Sequence, residues 1–356
     1  MPIYDLTLDG PLHVGEYVGV NREAALEWLP SDSLFAACVT AWVRLGMDVE
    51  GLLRRFAGFP PFWITSAFPR AGAVRFYPAP PLLPGHCGLL DDDSGALHAK
   101  SGFPSTEGGL KRAKGIRWLS QAVLDDLAQG RTPASGLENF LHGGSTWLSL
   151  AERRSLAGLL GESPASEASL WKFQIVPRVT LDRQTSASAL FHTGRVTFGP
   201  GCGLWFALDG DPAPVRPALD YLSEAGLGGL RSTGHGGFTW QETDSDLPRA
   251  VDGWGLLLSR YAPQVREEIT EGLQQPGSAY GLVNVGGWCQ DDAGKSWRRR
   301  PVRLVAEGAL LPASARGGLV DVRPQPQPDG WSGKWRPVLR NGLAYCLPAG
   351  KMVEVV

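Results

Sequence analysis

The chain has 356 residues, 43% hydrophobic and 20% charged, a balance that belongs to a folded globular protein with room for two or three domains. A formal net charge of -2 excludes a free-standing nucleic-acid binder that works through an all-over positive field, though it leaves room for a local basic groove. No apolar run nears the roughly 20 residues of a membrane-spanning helix, and MPIYDLTLDG holds neither a basic leader nor an apolar signal region, so the protein reads as cytoplasmic.

IYDLTL sets Tyr4, Leu6 and Leu8 against Ile3, Asp5 and Thr7, the period-two pattern of a half-buried strand. After a loop through His13, Gly15 and Gly19, PSDSLFAACVTAWVRLG carries two rows spaced four apart, Leu34/Cys38/Trp42 and Phe35/Val39/Val43. This predicts a buried helix ending near Gly46, with Ser31 and Asp32 as capping residues rather than a site. From about 60 to 120 the chain reads as loop-dominated, with short strands such as VRFYP between PAPPLLPG, LLDDDSG and KSGFPSTEGG. IRWLSQAVLDDLAQG predicts a second helix. LWKFQIVPRVTLDRQTSASALFHTGRVTF predicts two long strands around the polar turn DRQTSAS, a projecting hairpin. GLWFAL continues the sheet, PVRPALDYLSEAG is a helix closed by Gly226, and GGFTWQE is a strand.

Between that last helix and strand lies GLGGLRSTGHGGFTW, six glycines around Arg231, Ser232, Thr233 and His235. Glycine weakens helices and strands, so such density marks tight turns or a backbone that something approaches closely. Amides beside an arginine and two hydroxyls point to a phosphate. Dinucleotide-binding and P-loop glycines instead follow a strand and open a helix, and Arg231 stands where the third glycine of G-x-G-x-x-G would be.

The order strand, helix, strands, helix, strand matches a ferredoxin-like domain over 1–245. DSDLPRAVDG reads as a linker, and 246–356 starts a second unit: strand WGLLLSRY, a short helix at VREEITEGL, then strands near YGLVNV, RLVAEGALL, GGLVDV and LAYCLPAG. The expected architecture is α+β: two ferredoxin-like domains in tandem, with a projecting β-hairpin thumb and long loop insertions.

Two basic runs stand out: Lys100, Lys111, Arg112, Lys114 and Arg117, and Lys295, Arg298, Arg299, Arg300 and Arg303. Each reads as plain solvated surface or as the lining of a nucleic-acid channel. No G-x-S-x-G elbow is present, and the six histidines show neither H-E-x-x-H nor H-x-D spacing. The five cysteines are never in C-x-x-C spacing, and Asp91, Asp92 and Asp93 read as a turn. No catalytic residue, metal ligand or cofactor is assigned; the alternative is acid–base cleavage of RNA by His13 or His235, because an imidazole titrates near neutrality.

The glycine loop at this place in a ferredoxin-like unit resembles the signature loop of RAMP proteins, the RNA-binding subunits of CRISPR effector complexes. LHVGE followed by LPSDSLFAACVTAW, the hairpin PRVTLDRQTSASALFHTGRVTF, the glycine loop, and VAEGALL, GGLVDV and RPVLRNGLAY are together similar to the fourth Csm subunit of type III-A complexes, in the Cas-five group. The resemblance implies a non-catalytic scaffold that holds the 5′ handle of the guide RNA (crRNA), meets the large Cas-ten-type subunit and a neighbouring backbone RAMP subunit, and wedges the duplex of guide and target RNA with its thumb. It implies RNA contact at His13 and Gly15, at Arg178, Asp182 and Arg183, and at Gly228, Gly229, Arg231, Ser232, Thr233, Gly234, His235 and Gly236. Arg231 would neutralise phosphate and His235 would stack on a base. A RAMP endoribonuclease that processes guide precursors, or the equivalent subunit of a Cmr or III-D complex, is the alternative.

Overall fold

The computed structural model describes residues 1–19, 22–81, 83, 115–161, 168–181, 188–245 and 247–353. At its centre β1 (Pro2–Leu8) pairs antiparallel with β12 (Cys202–Gly210) on one edge and β13 (Phe238–Asp244) on the other, in the registers Tyr4↔Phe206 and Tyr4↔Glu242. β4 (Phe62–Ile64) and β5 (Phe68–Ala71) lie antiparallel on the far edge of β12. The sheet runs on through β6 (Val74–Pro78), β7 (Trp118–Ser120), β9 (Thr146–Trp147) and β8 (Phe140–Leu141), giving a nine-stranded mixed sheet. Together with its helices this makes a mixed α+β fold.

Residue alternation divides the sheet between two cores. Tyr4, Leu6, Leu204, Phe206 and Leu208 point to one face, where α1 (Ser31–Arg44) and α4 (Val215–Ala225) cover them. Ile3, Phe68, Phe76, Trp205 and Ala207 point to the other face, against residues of the C-terminal part. On α1 the row Leu34/Cys38/Trp42 is buried throughout, whereas the second row runs from buried Phe35 to Val43, 57% exposed. A four-residue step overshoots the 3.6-residue turn, so that row drifts off the core face.

Several elements differ from the sequence reading. Pro30, not Ser31, precedes the first turn of α1; Ser31 is helical and wholly buried, its amide donating to Ser66 Oγ and its Oγ accepting from the Arg260 amide. A further helix, α2 (Val49–Phe56), follows directly, capped by Asp48 accepting from the Gly51 amide. The first loop is largely strand: β2 (Gly15–Gly19) pairs with β3 (Arg22–Ala25), which lies parallel to β11 (Ser188–Phe198). Within the loop-dominated stretch, VRFYP forms β6 as expected, while β4 and β5 are strands that show no alternation because their residues are buried on both faces; Lys100, Lys111, Arg112, Lys114 and Asp91–Asp93 lie outside the described residues. The second helix begins only at α3 (Gln121–Ala128), after β7, where the Glu152 carboxylate accepts from the Ala122 amide and the Ser120 hydroxyl.

The predicted hairpin strands are present as β10 (Trp171–Leu181) and β11, paired antiparallel from Trp171↔Phe198 to Leu181↔Ser188 and mostly exposed; the turn, with Asp182 and Arg183, lies outside the described residues. After 247 the described strands do not repeat the order of the first unit. β14 (Trp254–Leu257) pairs with β19 (Leu310–Pro312) and β22 (Cys346–Pro348). Separate two-stranded ribbons join β15 (Leu282–Val285) to β18 (Val302–Val305), β16 (Trp288–Gln290) to β17 (Ser296–Arg298), and β20 (Gly317–Asp321) to β21 (Leu339–Leu343). The helix expected at VREEITEGL is a single wide turn, Glu268–Leu273, whose Glu268 carboxylate accepts from the Arg316 and Gly317 amides. Leu256, Leu258, Leu310, Tyr345 and Met352 share one continuous core with Phe68, Trp118 and Trp205, so the two halves pack as one body.

Candidate nucleic-acid interface

Gly226 closes α4 with φ +80°, and the chain then folds back on the segment leading from β1 to β2. The Gly229 amide donates to the His13 carbonyl at 2.7 Å, the Gly236 amide to the Pro11 carbonyl at 3.0 Å, and the Leu227 amide to the Gly236 carbonyl at 2.8 Å. Side chains would not fit this backbone-on-backbone packing. A Cβ at Gly228 would strike the His13 carbonyl oxygen, one at Gly236 the Leu227 carbonyl oxygen, and one at Gly229 would lie 2.7 Å from the His13 ring. Close chain approach, more than access for a ligand, is therefore what these three positions demand, and the amides of Gly229 and Gly236, expected to face phosphate, are already engaged.

What the loop leaves outside is the single 3-10 turn Arg231–Thr233, entered through Leu230 at φ +58° and left through Gly234 at φ +78°. Arg231, Ser232, Thr233 and Gly234 are all exposed. The Thr233 and Gly234 amides close the turn on the Leu230 and Arg231 carbonyls, while those of Arg231 and Ser232 find no backbone acceptor among the described residues. The turn thus gathers an exposed guanidinium, the Ser232 hydroxyl and two amides that the loop's own backbone leaves unused, groups of the kind that hold an anion.

His235 lies against this turn, and His13 against Gly228 and Gly229 just before it. His13 is buried, and its Nδ1–H donates to the Gly194 carbonyl of β11 at 2.7 Å. His235 is 5% exposed, with Nδ1–H donating to the Thr233 carbonyl at 3.2 Å and Nε2 buried with no hydrogen-bond partner among the described residues. Burial holds the His235 pKa below the ordinary histidine value, and the nearby charges of Arg178, Arg195 and His13 push the same way against the Thr233 carbonyl. The neutral ring props the turn from inside, so His235 does not offer a face for stacking.

The hairpin reaches the same place. Both terminal nitrogens of the Arg178 guanidinium donate to Thr233 Oγ1 at 3.4 Å, and that hydroxyl donates to the Leu230 carbonyl. Arg195, which the sequence reading passed over, joins them: the register Gln174↔Arg195 puts it on the Arg178 face of the ribbon, and its Nε donates to Gln174. Strand alternation carries that signal, but only once the register is known. Gly15 is exposed beside His13. Of the first basic run, Arg117 is paired with Glu27 at 2.9 Å and lies over the Trp28 ring. The second run is split around the β16–β17 ribbon: Lys295 covers Trp297, Arg298 lies beside Trp288, and Arg300 donates to the Asp321 carbonyl.

Three comparisons bear on this arrangement. Residues 252–349 match the family model described as the CRISPR Csm4 C-terminal domain. The CRISPR system Cms protein Csm4 of Thermococcus onnurineus (strain NA1) is 26% identical over 293 residues, 79% of this chain and 81% of that protein. Among solved structures, a chain of the Csm3–Csm4 subcomplex of the type III-A CRISPR-Cas interference complex superposes with a TM-score of 0.63 at 15% identity, covering 98% of this chain and 99% of that one. A chain of the Csm1–Csm4 cassette in complex with pppApA gives 0.52 at 17% identity, with 98% and 96% covered. At these identities the two structures speak for the fold.

Proposed function

For a chain that carries a Csm4 C-terminal domain and resembles Csm4 over most of its length, we propose the role of a guide-RNA-binding, non-catalytic subunit of a type III CRISPR effector complex. Residues 1–245 form its RAMP domain, built on the antiparallel order β13-β1-β12-β4 with α1 and α4 on one face, the arrangement of a ferredoxin-like unit. Residues 246–356 form a second, divergent lobe packed against it, and the β10–β11 ribbon is the thumb that wedges the guide–target duplex.

The observation that carries this reading is the convergence of three elements: the exposed Arg231–Gly234 turn, the first loop at His13, and the hairpin at Arg178. An irregular RNA leader is gripped through phosphates and 2′-hydroxyls, which suits exposed amides, short hydroxyls and a guanidinium. A net charge of -2 fits a subunit with one face on RNA and others on protein. Its neighbours would be a large Cas-ten-type subunit and a backbone RAMP subunit, by analogy with the Csm1–Csm4 and Csm3–Csm4 assemblies of similar fold.

Incubating the purified protein with a repeat-containing transcript in the absence of metal tests this directly. Binding without products is the expected result. Cleavage that disappears in His13→Ala would assign an endoribonuclease instead, although a His13 and His235 both buried and hydrogen-bonded to backbone offer little support for acid–base chemistry.

A further inference from the structure

Beside the first loop opens a cleft of about 910 Å³, with one wall from the N-terminal half and the other from the C-terminal ribbons. His13 and Gly15 line it on one side, and Trp288, Arg298 and Arg299 on the other. Trp288 is 64% exposed, unusual for so large an aromatic, and the register Trp288↔Arg298 sets a guanidinium 5.9 Å from its ring. Arg299 is 9% exposed and donates to the Gly286 carbonyl, while its Nε has no hydrogen-bond partner among the described residues. Gly287, at φ +118°, supplies the room that the Arg299 guanidinium occupies.

The chemistry of the walls selects the occupant. No carboxylate lines the cleft among the described residues, and the charge of Arg260 on its floor is taken up by Asp32 at 3.0 Å and Glu307 at 3.6 Å. That leaves Arg298 and Arg299 as cations beside an open indole, a combination that serves a phosphate followed by a base. His13, which lines the cleft, also packs against Gly229 of the glycine loop, so the two lie on either side of one side chain.

We propose that this cleft takes an unpaired nucleotide of a single-stranded RNA, with the base stacked on Trp288 and the phosphates against Arg298 and Arg299. It extends the reading of the Arg231–Gly234 turn as an RNA contact and rests on it for the path of the strand. The second basic run thereby gains a role that the sequence left open between channel and plain surface.

The full-length protein and a fluorescein-labelled oligoadenylate of about ten nucleotides, followed by anisotropy, test it. Trp288→Ala is expected to weaken binding about tenfold, the order of one lost stacking contact, and Trp288→Phe to retain most of the affinity. Arg298→Glu should weaken binding and flatten its salt dependence. Trp288 is exposed, so unchanged melting should accompany the loss. Unchanged affinity in Trp288→Ala alongside weakening in Arg231→Glu overturns the cleft and leaves the glycine-loop reading standing; weakening only in Trp288→Ala supports the cleft and overturns the loop. Failure of both variants to change affinity, or of the parent protein to bind the probe, overturns both. Loss of a protein neighbour from Trp288→Ala with RNA affinity intact assigns the indole to a protein contact, and the proposal falls.

Discussion

Gly234 and Gly236 share a left-handed backbone, at φ +78° and +77°, yet sit in opposite surroundings: nothing crowds Gly234, while a Cβ at Gly236 would overlap the Leu227 carbonyl. Gly234→Ala therefore carries only the conformational cost, about 1 kcal/mol, whereas Gly236→Ala must also force its Cβ against the Leu227 backbone within the glycine loop and should cost about 3 kcal/mol. Denaturant titration of the two variants checks the order; equal losses would contradict the packing described here. The density of glycine was legible in the sequence, but which glycine faces backbone and which faces solvent was not, because that depends on how the loop folds onto its own Leu227 and, at Gly228 and Gly229, onto Leu12 and His13, more than 200 positions away. A residue outside the site gives a pH test. His142 Nε2 accepts from the Leu170 amide while its ring stacks on Trp171 at 4.0 Å, and burial lowers its pKa to about 4. A folded-state pKa below the unfolded value makes the unfolded chain bind more protons, so stability is held above about pH 6.5 and lost as pH falls towards 4, by roughly 3 kcal/mol. The melting temperature should decline across that window, and His142→Gln should flatten the decline.

Among the elements, α1 shows how a local reading goes astray. Ser31 and Asp32 look like capping residues, and capping residues are ordinarily wet. Here Asp32 is wholly buried, facing Arg260 at 3.0 Å and Arg340 at 3.5 Å, and thereby ties the first turn of the helix to the C-terminal half. Asp32→Asn keeps the shape but leaves the arginines short of a counter-charge; a loss of about 3–5 kcal/mol is expected, measured by thermal or denaturant unfolding. A change below about 1 kcal/mol would mean that the ionic junction contributes little. The hairpin was the most legible element, because long alternating runs flank a polar turn, and β10 and β11 occupy nearly the spans expected. β2 and β3 were hidden by glycines and by a partner strand, β11, far along the chain; β4 and β5 were hidden by burial on both faces, whereas VRFYP was read correctly as β6. Replacing the turn 182–187 by Asn-Gly should leave unfolding unchanged, since the strands near it are exposed, while altering the geometry of a guide–target duplex in the assembled complex. Unaltered duplex geometry would remove the thumb role.

At the level of the whole molecule, α+β character followed from the order of elements, and the first antiparallel unit from the alternation in IYDLTL and the helix rows. The second ferredoxin-like unit expected over 246–356 is not reproduced in the strand order of the described residues. Residues 247–353 assemble short ribbons, and Leu256, Leu310, Tyr345 and Met352 complete the core begun by Phe68 and Trp205. Contacts between such distant segments leave no periodic trace in a single sequence. The linker DSDLPRAVDG, 244–253, is accordingly not a cut point: a 1–245 fragment should be insoluble or should unfold without a cooperative transition, whereas calorimetry of the full chain should give one principal transition. A stable, cooperatively folding 1–245 fragment would contradict the shared core. The functional account turns on the outward face of one turn, and the most direct measurement is photocrosslinking from position 232, with Ser232 replaced by a photoreactive amino acid, in the complex purified with its RNA. Ser232 crosslinked to the 5′ portion of the guide RNA is the result predicted; crosslinks to polypeptide alone, with the RNA present and unlabelled, would contradict it.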